Sequence, residues 1–133
     1  MIVFVDTSAY LALLDEDDSN HRRAVEWLAG PGRDPEVLLL THSYVVVESA
    51  ALVHRRLGAG AVRVLFDAHL PAASVFYVDE HLHTMAAAAY MASLRRRSSF
   101  VDWVSIQYMR ARRVQHAFAF DQDFADQGFH LVA

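Results

Sequence analysis

The sequence contains no cysteine. It therefore offers no disulfide framework and no thiolate metal site, and a reducing cytosol suits it. It contains no lysine either; all 12 basic residues are arginine. That argues against aspartyl-phosphate proteins, both receiver domains and phosphatases, which rely on a lysine near the phosphoryl group. No apolar run reaches the roughly 18 residues a membrane helix needs. The nearest, around Met85 to Met91, runs into Arg95, Arg96 and Arg97. The opening MIVFVDTSAY lacks a basic start and meets an acid at Asp6, so a secretory signal is not expected. There is no glycine-rich phosphate loop and no Gly-x-Ser-x-Gly elbow. Of the 8 histidines, none form a His-x-x-x-His or His-Glu-x-x-His pair. His81 and His83 are two apart, which on a helix turns them away from each other, so a histidine metal site is not expected.

What remains suits one folded domain spanning 1–133, with 54% hydrophobic residues and room for a real core. The net charge of −4 argues mildly against nucleic acid. Against that, arginine is the better fork for phosphate oxygens, and the arginines cluster at Arg22–Arg23, Arg55–Arg56, Arg95–Arg97 and Arg110–Arg113. Each cluster reads equally well as a solvated helix face. If they bind RNA, Arg95–Arg97 or Arg110–Arg113 would track its backbone.

Short β-like runs alternate with helix-length segments. Strands are expected at 2–5 (IVFV), 37–40 (VLLL), 74–78 (SVFYV), 117–120 (AFAF) and, at an edge, 129–132. Helices are expected after Asp6 to about Leu14, after Ser19 or Asn20 to Leu28, and after Thr41 to about Leu57. Further helices fit Gly60–His69, about 18 residues after Asp79, Ser99 to about Arg113, and a short turn or helix at Asp121–Ala125. Acidic Asp15–Asp18 reads as a turn, and Gly30–Glu36 as the one loose segment. The alternation predicts a three-layer α/β/α sandwich on a mostly parallel central sheet.

Open α/β sheets carry their functional groups beyond the carboxyl ends of the strands. Asp6 directly follows the first strand, Asp121 follows AFAF, and Asp123 stands two residues on. Asp102 lies in the first turn of a helix opened by Ser98 and Ser99. Glu48 interrupts an apolar stretch of Val45, Val47, Ala51 and Leu52, where a carboxylate is costly unless compensated. Singly, each aspartate could be a helix or turn cap, and Glu48 a partner of Arg55 or Arg56. Together, acids from separate chain positions would meet at one sheet edge. Such a cluster destabilises the fold unless a cation neutralises it, and an all-oxygen donor set suits magnesium or manganese.

Val3-Phe-Val-Asp-Thr-Ser8, Glu48 in its helix, Ser99-Phe-Val-Asp102 and Ala119-Phe-Asp-Gln-Asp-Phe124 resemble, in order and spacing, the acidic motifs of PIN domains. Length and layout are similar to the VapC toxins of bacterial toxin–antitoxin pairs. The resemblance implies an endoribonuclease dependent on Mg2+ or Mn2+. Asp6 and Asp102 would be the principal metal ligands, Glu48 and Asp121 would complete the set, and Asp123 would support it. Thr7, Ser8 and Ser99 would orient ligands. It also implies hydrolysis that leaves a 5′ phosphate and a 3′ hydroxyl, a homodimer, and a VapB-type antitoxin as partner. Ser99–Phe129 is particularly similar to toxins that cut the sarcin–ricin loop of large-subunit ribosomal RNA, although related toxins cut tRNA. Trp103 departs from the smaller residue often found there, and its ring could be core or could shape the groove. Phe118, Phe120, Phe124 and Phe129 read as core; Tyr108 and Trp27 are open. The rival functions are a PIN nuclease of RNA processing and an inactive PIN module that only binds RNA or a partner.

Overall fold

The computed structural model describes residues 1–133. Five strands form one sheet in the order β3-β2-β1-β4-β5, with every neighbouring pair parallel. They are β1 (Ile2–Val5), β2 (Leu38–His42), β3 (Ala73–Phe76), β4 (His116–Phe118) and β5 (His130–Leu131). The helices are α1 (Thr7–Leu14), α2 (His21–Ala29), α3 (Ser43–Leu57), α4 (Ala59–Val64), α5 (Glu80–Ala92), α6 (Phe100–Arg112) and α7 (Gln122–Asp126). Parallel pairing demands crossover helices on the sheet faces, and both faces of β1 are buried. On one side Val5 and Phe118 meet Tyr10 and Leu13 of α1 and Leu28 of α2. Trp27 packs on Phe118 with ring centroids 4.6 Å apart. On the other side Phe4 lies 6.1 Å from both Tyr108 of α6 and Phe124 of α7. These are the three layers the alternation predicts. Trp27, Trp103 and Tyr108 are all buried, so the Trp103 ring belongs to the core and does not shape the groove.

Several boundaries differ from the sequence reading. β2 continues through Thr41 and His42, because Thr41 Oγ1 donates to the Val5 carbonyl at 2.9 Å and fastens β2 to β1. The cap of α3 is consequently His42, whose Nδ1 accepts from the Val45 N–H at 3.3 Å. α3 ends at Gly58, whose φ of 87° lets its N–H reach the Val53 and His54 carbonyls. The helix expected over Gly60–His69 runs as α4, then a π-helical turn at Leu65–His69. β3 is shorter than expected and begins one residue earlier. α5 stops after 13 residues, ahead of three consecutive exposed arginines that have no apolar face to bury. β4 ends at Phe118 because the chain turns off the sheet there. The Phe120 N–H goes to Ser8 Oγ at 3.0 Å in place of a ladder partner. No helix is long and apolar enough to cross a membrane.

Connections leave β1 toward β2 on one side and return to β4 on the other. The strand order therefore reverses between β1 and β4. A crevice opens at such a point beyond the carboxyl ends of the strands, and Asp6 and Asp121 stand beside it.

Candidate metal centre

Asp6 caps α1 and is 3% exposed. Its Oδ2 accepts from the Ser8 N–H at 3.1 Å and from Ser8 Oγ at 2.7 Å. Its Oδ1 is buried with no partner at all. An orphaned buried oxygen on an ionisable group costs about 1–3 kcal/mol or more, so native structures seldom tolerate one without a ligand, ion or water.

The other aspartates repeat this arrangement: one oxygen is tethered by the protein and the other is not. Asp102 Oδ2 accepts from the Ser99 N–H at 2.8 Å, and Ser99 Oγ accepts from the Asp102 N–H at 3.1 Å, closing a capping box on α6. Asp121 caps α7, its Oδ1 accepting from the Asp123 N–H at 3.0 Å. Asp123 Oδ2 accepts from Ser98 Oγ at 2.8 Å. Cap and ligand are thus not exclusive roles. A cap uses one oxygen and fixes where the second one points.

Carboxylate oxygens of Asp102, Asp121 and Asp123 lie within 4.8 Å of one another. Asp6 and Glu48 fall outside that tight set, yet they share its field. Burial pushes the Asp6 carboxyl up to about 6, and the Glu48 and Asp121 charges add to the rise against the lowering effect of the Ser8 bonds. Asp102 is pushed up to about 7, first by burial and then by Asp6 and, more weakly, Asp121. Asp121 is raised by burial and by the Asp123 and Asp126 carboxylates. Asp102, Asp121 and Asp123 are thus brought together, Asp6 is within reach of their charge, and Glu48 is within reach of Asp6. Asp123 stands in the tight trio. Glu48 is half-buried on α3 without a hydrogen bond of its own.

A buried network holds α3 against α6. Burial pushes His42 down to about 3, so its ring is neutral. With Nδ1 accepting from Val45, Nε2 carries the proton and donates to Ser105 Oγ at 2.8 Å. Ser105 Oγ donates in turn to the Val101 carbonyl at 3.0 Å. Ser49 Oγ donates to Thr7 Oγ1 at 3.3 Å, fastening the Glu48 turn to the start of α1. Sequence reading missed His42, Ser49 and Ser105. The one available signal is their polar character inside otherwise apolar segments.

The arrangement is that of a hard-cation site: oxygen donors only, mutually repelling, in a crevice at a sheet switch point. A profile of the PIN domain family matches residues 3–129. The chain belongs to the PIN domain family. The PIN-domain protein VapC20 of Mycobacterium tuberculosis, a 23S rRNA-specific endonuclease, is 32% identical to it over 130 residues, covering 96% of this chain and 95% of that protein. The crystal structure of VapC20, described as a sarcin–ricin loop cleaving toxin, superposes with a TM-score of 0.85 over 97% of this chain and 96% of that one. This PIN domain is therefore of the VapC type. VapBC2 from Rickettsia felis (12% identical, TM-score 0.69, 98% and 97% covered) and FitAcB from Neisseria gonorrhoeae (17% identical, TM-score 0.68, 100% and 97% covered) share the fold.

The arginine clusters differ in availability. Arg95, Arg96 and Arg97 are exposed on the loop that ends in Ser98 and Ser99, beside the acids. Arg110 donates to Gln127 Oε1 at 2.7 Å, and Arg112 lies over the Phe76 and Tyr108 rings at 5.3 and 5.6 Å. Neutralising Arg95–Arg97 together is expected to weaken RNA binding and reduce its salt slope by about 2 to 3, one unit per lost phosphate contact. Fluorescence anisotropy across a salt series checks this, and an unchanged slope returns the cluster to ordinary solvated surface.

Proposed function

We propose that this protein is the toxin of a type II toxin–antitoxin pair, an endoribonuclease that hydrolyses a phosphodiester in the sarcin–ricin loop of 23S ribosomal RNA with the help of Mg2+ or Mn2+. The similarity to VapC20 along nearly the whole chain supports the substrate. VapC-type membership supports a VapB-type antitoxin as partner and a homodimer as the working form. The observation that carries the metal is Asp6 Oδ1, buried and unpartnered on a carboxyl that feels the charge of Asp121 and acts on Asp102.

The residues present fit a hard divalent cation. Asp6 and Asp102 would hold it, with Asp121, Asp123 and Glu48 completing or flanking the set. When bound, such a cation supplies Lewis acidity toward a phosphodiester and toward water. The chain's own contribution is orientation. Ser8, Ser99, the Asp123 N–H and Ser98 each occupy one carboxylate oxygen, so the free oxygens are fixed before substrate arrives and need no reorganisation. Glu48, free of any protein hydrogen bond, is the carboxylate left to accept one from the attacking water.

A sarcin–ricin loop oligonucleotide tests the reading. Purified protein in Mg2+ or Mn2+ is expected to cut it at one position, EDTA to stop the reaction, and excess metal to restore it. Cleavage undiminished by chelation overturns the metal. No cleavage of this loop, with cleavage of tRNA, overturns the substrate.

A further inference from the structure

At the edge of the core, on the same turns that carry Glu48 and Asp102, lies an aromatic cluster. Tyr44 stands in the first turn of α3, one turn before Glu48 and on the same helix face. Its ring is 6.1 Å from Phe100, the first residue of α6, two before Asp102. Tyr44 Oη and His83 Nδ1 share a hydrogen bond at 2.5 Å. The His83 ring stands edge-on to Tyr44 at 5.8 Å and to Phe100 at 5.1 Å. The Tyr90 ring packs on Phe100 at 5.7 Å. Tyr44 and Phe100 remain partly exposed and His83 is exposed. Three elements, α3, α5 and α6, thus converge to fix ring planes between the turn before Glu48 and the turn that carries Asp102.

We propose that Tyr44, braced by His83 and Phe100, is the platform on which a nucleobase flanking the scissile phosphate stacks. This rests on the nuclease reading above and adds a base-binding subsite to it. Position is the first support. A base held one helical turn from Glu48 is within one or two nucleotides of a phosphate seated at the acids. Rigidity is the second. Tyr44 is held at its hydroxyl by His83 and packs against the His42, His83 and Phe100 rings, so little freedom is lost when a base stacks on it. The third is the path of the backbone. Exposed Arg95–Arg97 lie on the loop that runs into Phe100, so the segment that delivers this ring also carries three cations. Single-stranded nucleic acid is commonly held by this pairing of a basic track with aromatic faces.

The test uses steady-state cleavage of the loop oligonucleotide by the wild type, Tyr44→Ala, Tyr44→Leu and Tyr44→Phe. It adds a set of substrates with a single abasic nucleotide at each position flanking the cut. Tyr44→Ala and Tyr44→Leu are expected to raise KM roughly tenfold, within the range of one base–aromatic stack. Tyr44→Phe, which keeps the ring, recovers most of that loss, and Mn2+ affinity is the same in all four proteins. One abasic substrate should cost the wild type the same factor and cost Tyr44→Ala nothing further. If Tyr44→Ala fails to fold, Tyr44→Leu, which keeps the bulk, carries the comparison. A wild type that cuts while the variants match it in KM overturns the platform alone. So does a loss at Tyr44→Ala that multiplies with every abasic loss, or one accompanied by weaker Mn2+ binding. A wild type that cuts no RNA overturns the nuclease reading and the platform with it.

Discussion

Asp102→Asn is expected to lower RNA cleavage by at least about a thousandfold and, in metal-free buffer near pH 8, to raise the melting temperature. The two effects share one cause. The Asp102 carboxyl is pushed up to about 7 from 3.8, chiefly by burial and by Asp6. Holding it ionised therefore costs the fold on the order of 4 kcal/mol at 1.36 kcal/mol per unit, an upper figure for a group that water still reaches. Asparagine removes the charge and keeps the cap, because its side-chain oxygen can still accept from the Ser99 N–H. What it loses is an anionic ligand, and a thousandfold loss corresponds to about 4 kcal/mol of transition-state stabilisation. Asp6→Asn should behave alike, since Asp6 is fully buried and raised to about 6. Single-turnover cleavage and thermal melts on the same samples check both halves. A variant with wild-type rates, or one that is inactive because it has unfolded, contradicts the assignment.

The metal-free protein is also expected to lose stability as pH rises from about 4 to about 8. Asp6 and Asp102 have folded pKa values above the unfolded value of 3.8. Between those limits the native state binds more protons than the unfolded chain, so the stability slope with pH is negative. Well below about pH 4 both states are protonated and the penalty vanishes; it is complete only about a unit above the folded Asp102 value of about 7. A divalent cation reverses the trend, because it binds the ionised native site. Mn2+ or Mg2+ should therefore raise the melting temperature little at pH 5 and by several degrees or more at pH 8. Melts at the two pH values with EDTA or metal decide it. An equal metal effect at both, or a metal-free protein more stable at pH 8 than at pH 5, would show that these carboxylates do not meet as described.

Much of this was legible in the sequence because it depends on residues adjacent in the chain. Asp6, Ser99 and Asp121 could be read as caps from local chemistry, and each does cap a helix. The parallel sheet followed from alternating strand and helix periods. The mismatches arose where distant residues decide. Thr41 looks like a cap until its hydroxyl is seen donating to Val5, on a neighbouring strand. AFAF looks like a four-residue strand, but Phe120 is drawn off by Ser8, more than a hundred residues earlier. Nothing local tells that Ser98 will hold Asp123 close to Asp102 and Asp121. Tyr44, His83 and Phe100 carried no signal at all, since their cluster exists only once three helices converge.

The shared site itself can be measured without any substrate. Titrating metal-free protein with Mn2+ at pH 8, by calorimetry or by loss of the free-ion paramagnetic signal, should give saturable binding in the wild type. Affinity should fall at least tenfold in both Asp6→Asn and Asp102→Asn. Absent binding in the wild type, or equal affinity in all three proteins, would mean that these carboxylates do not hold one ion between them.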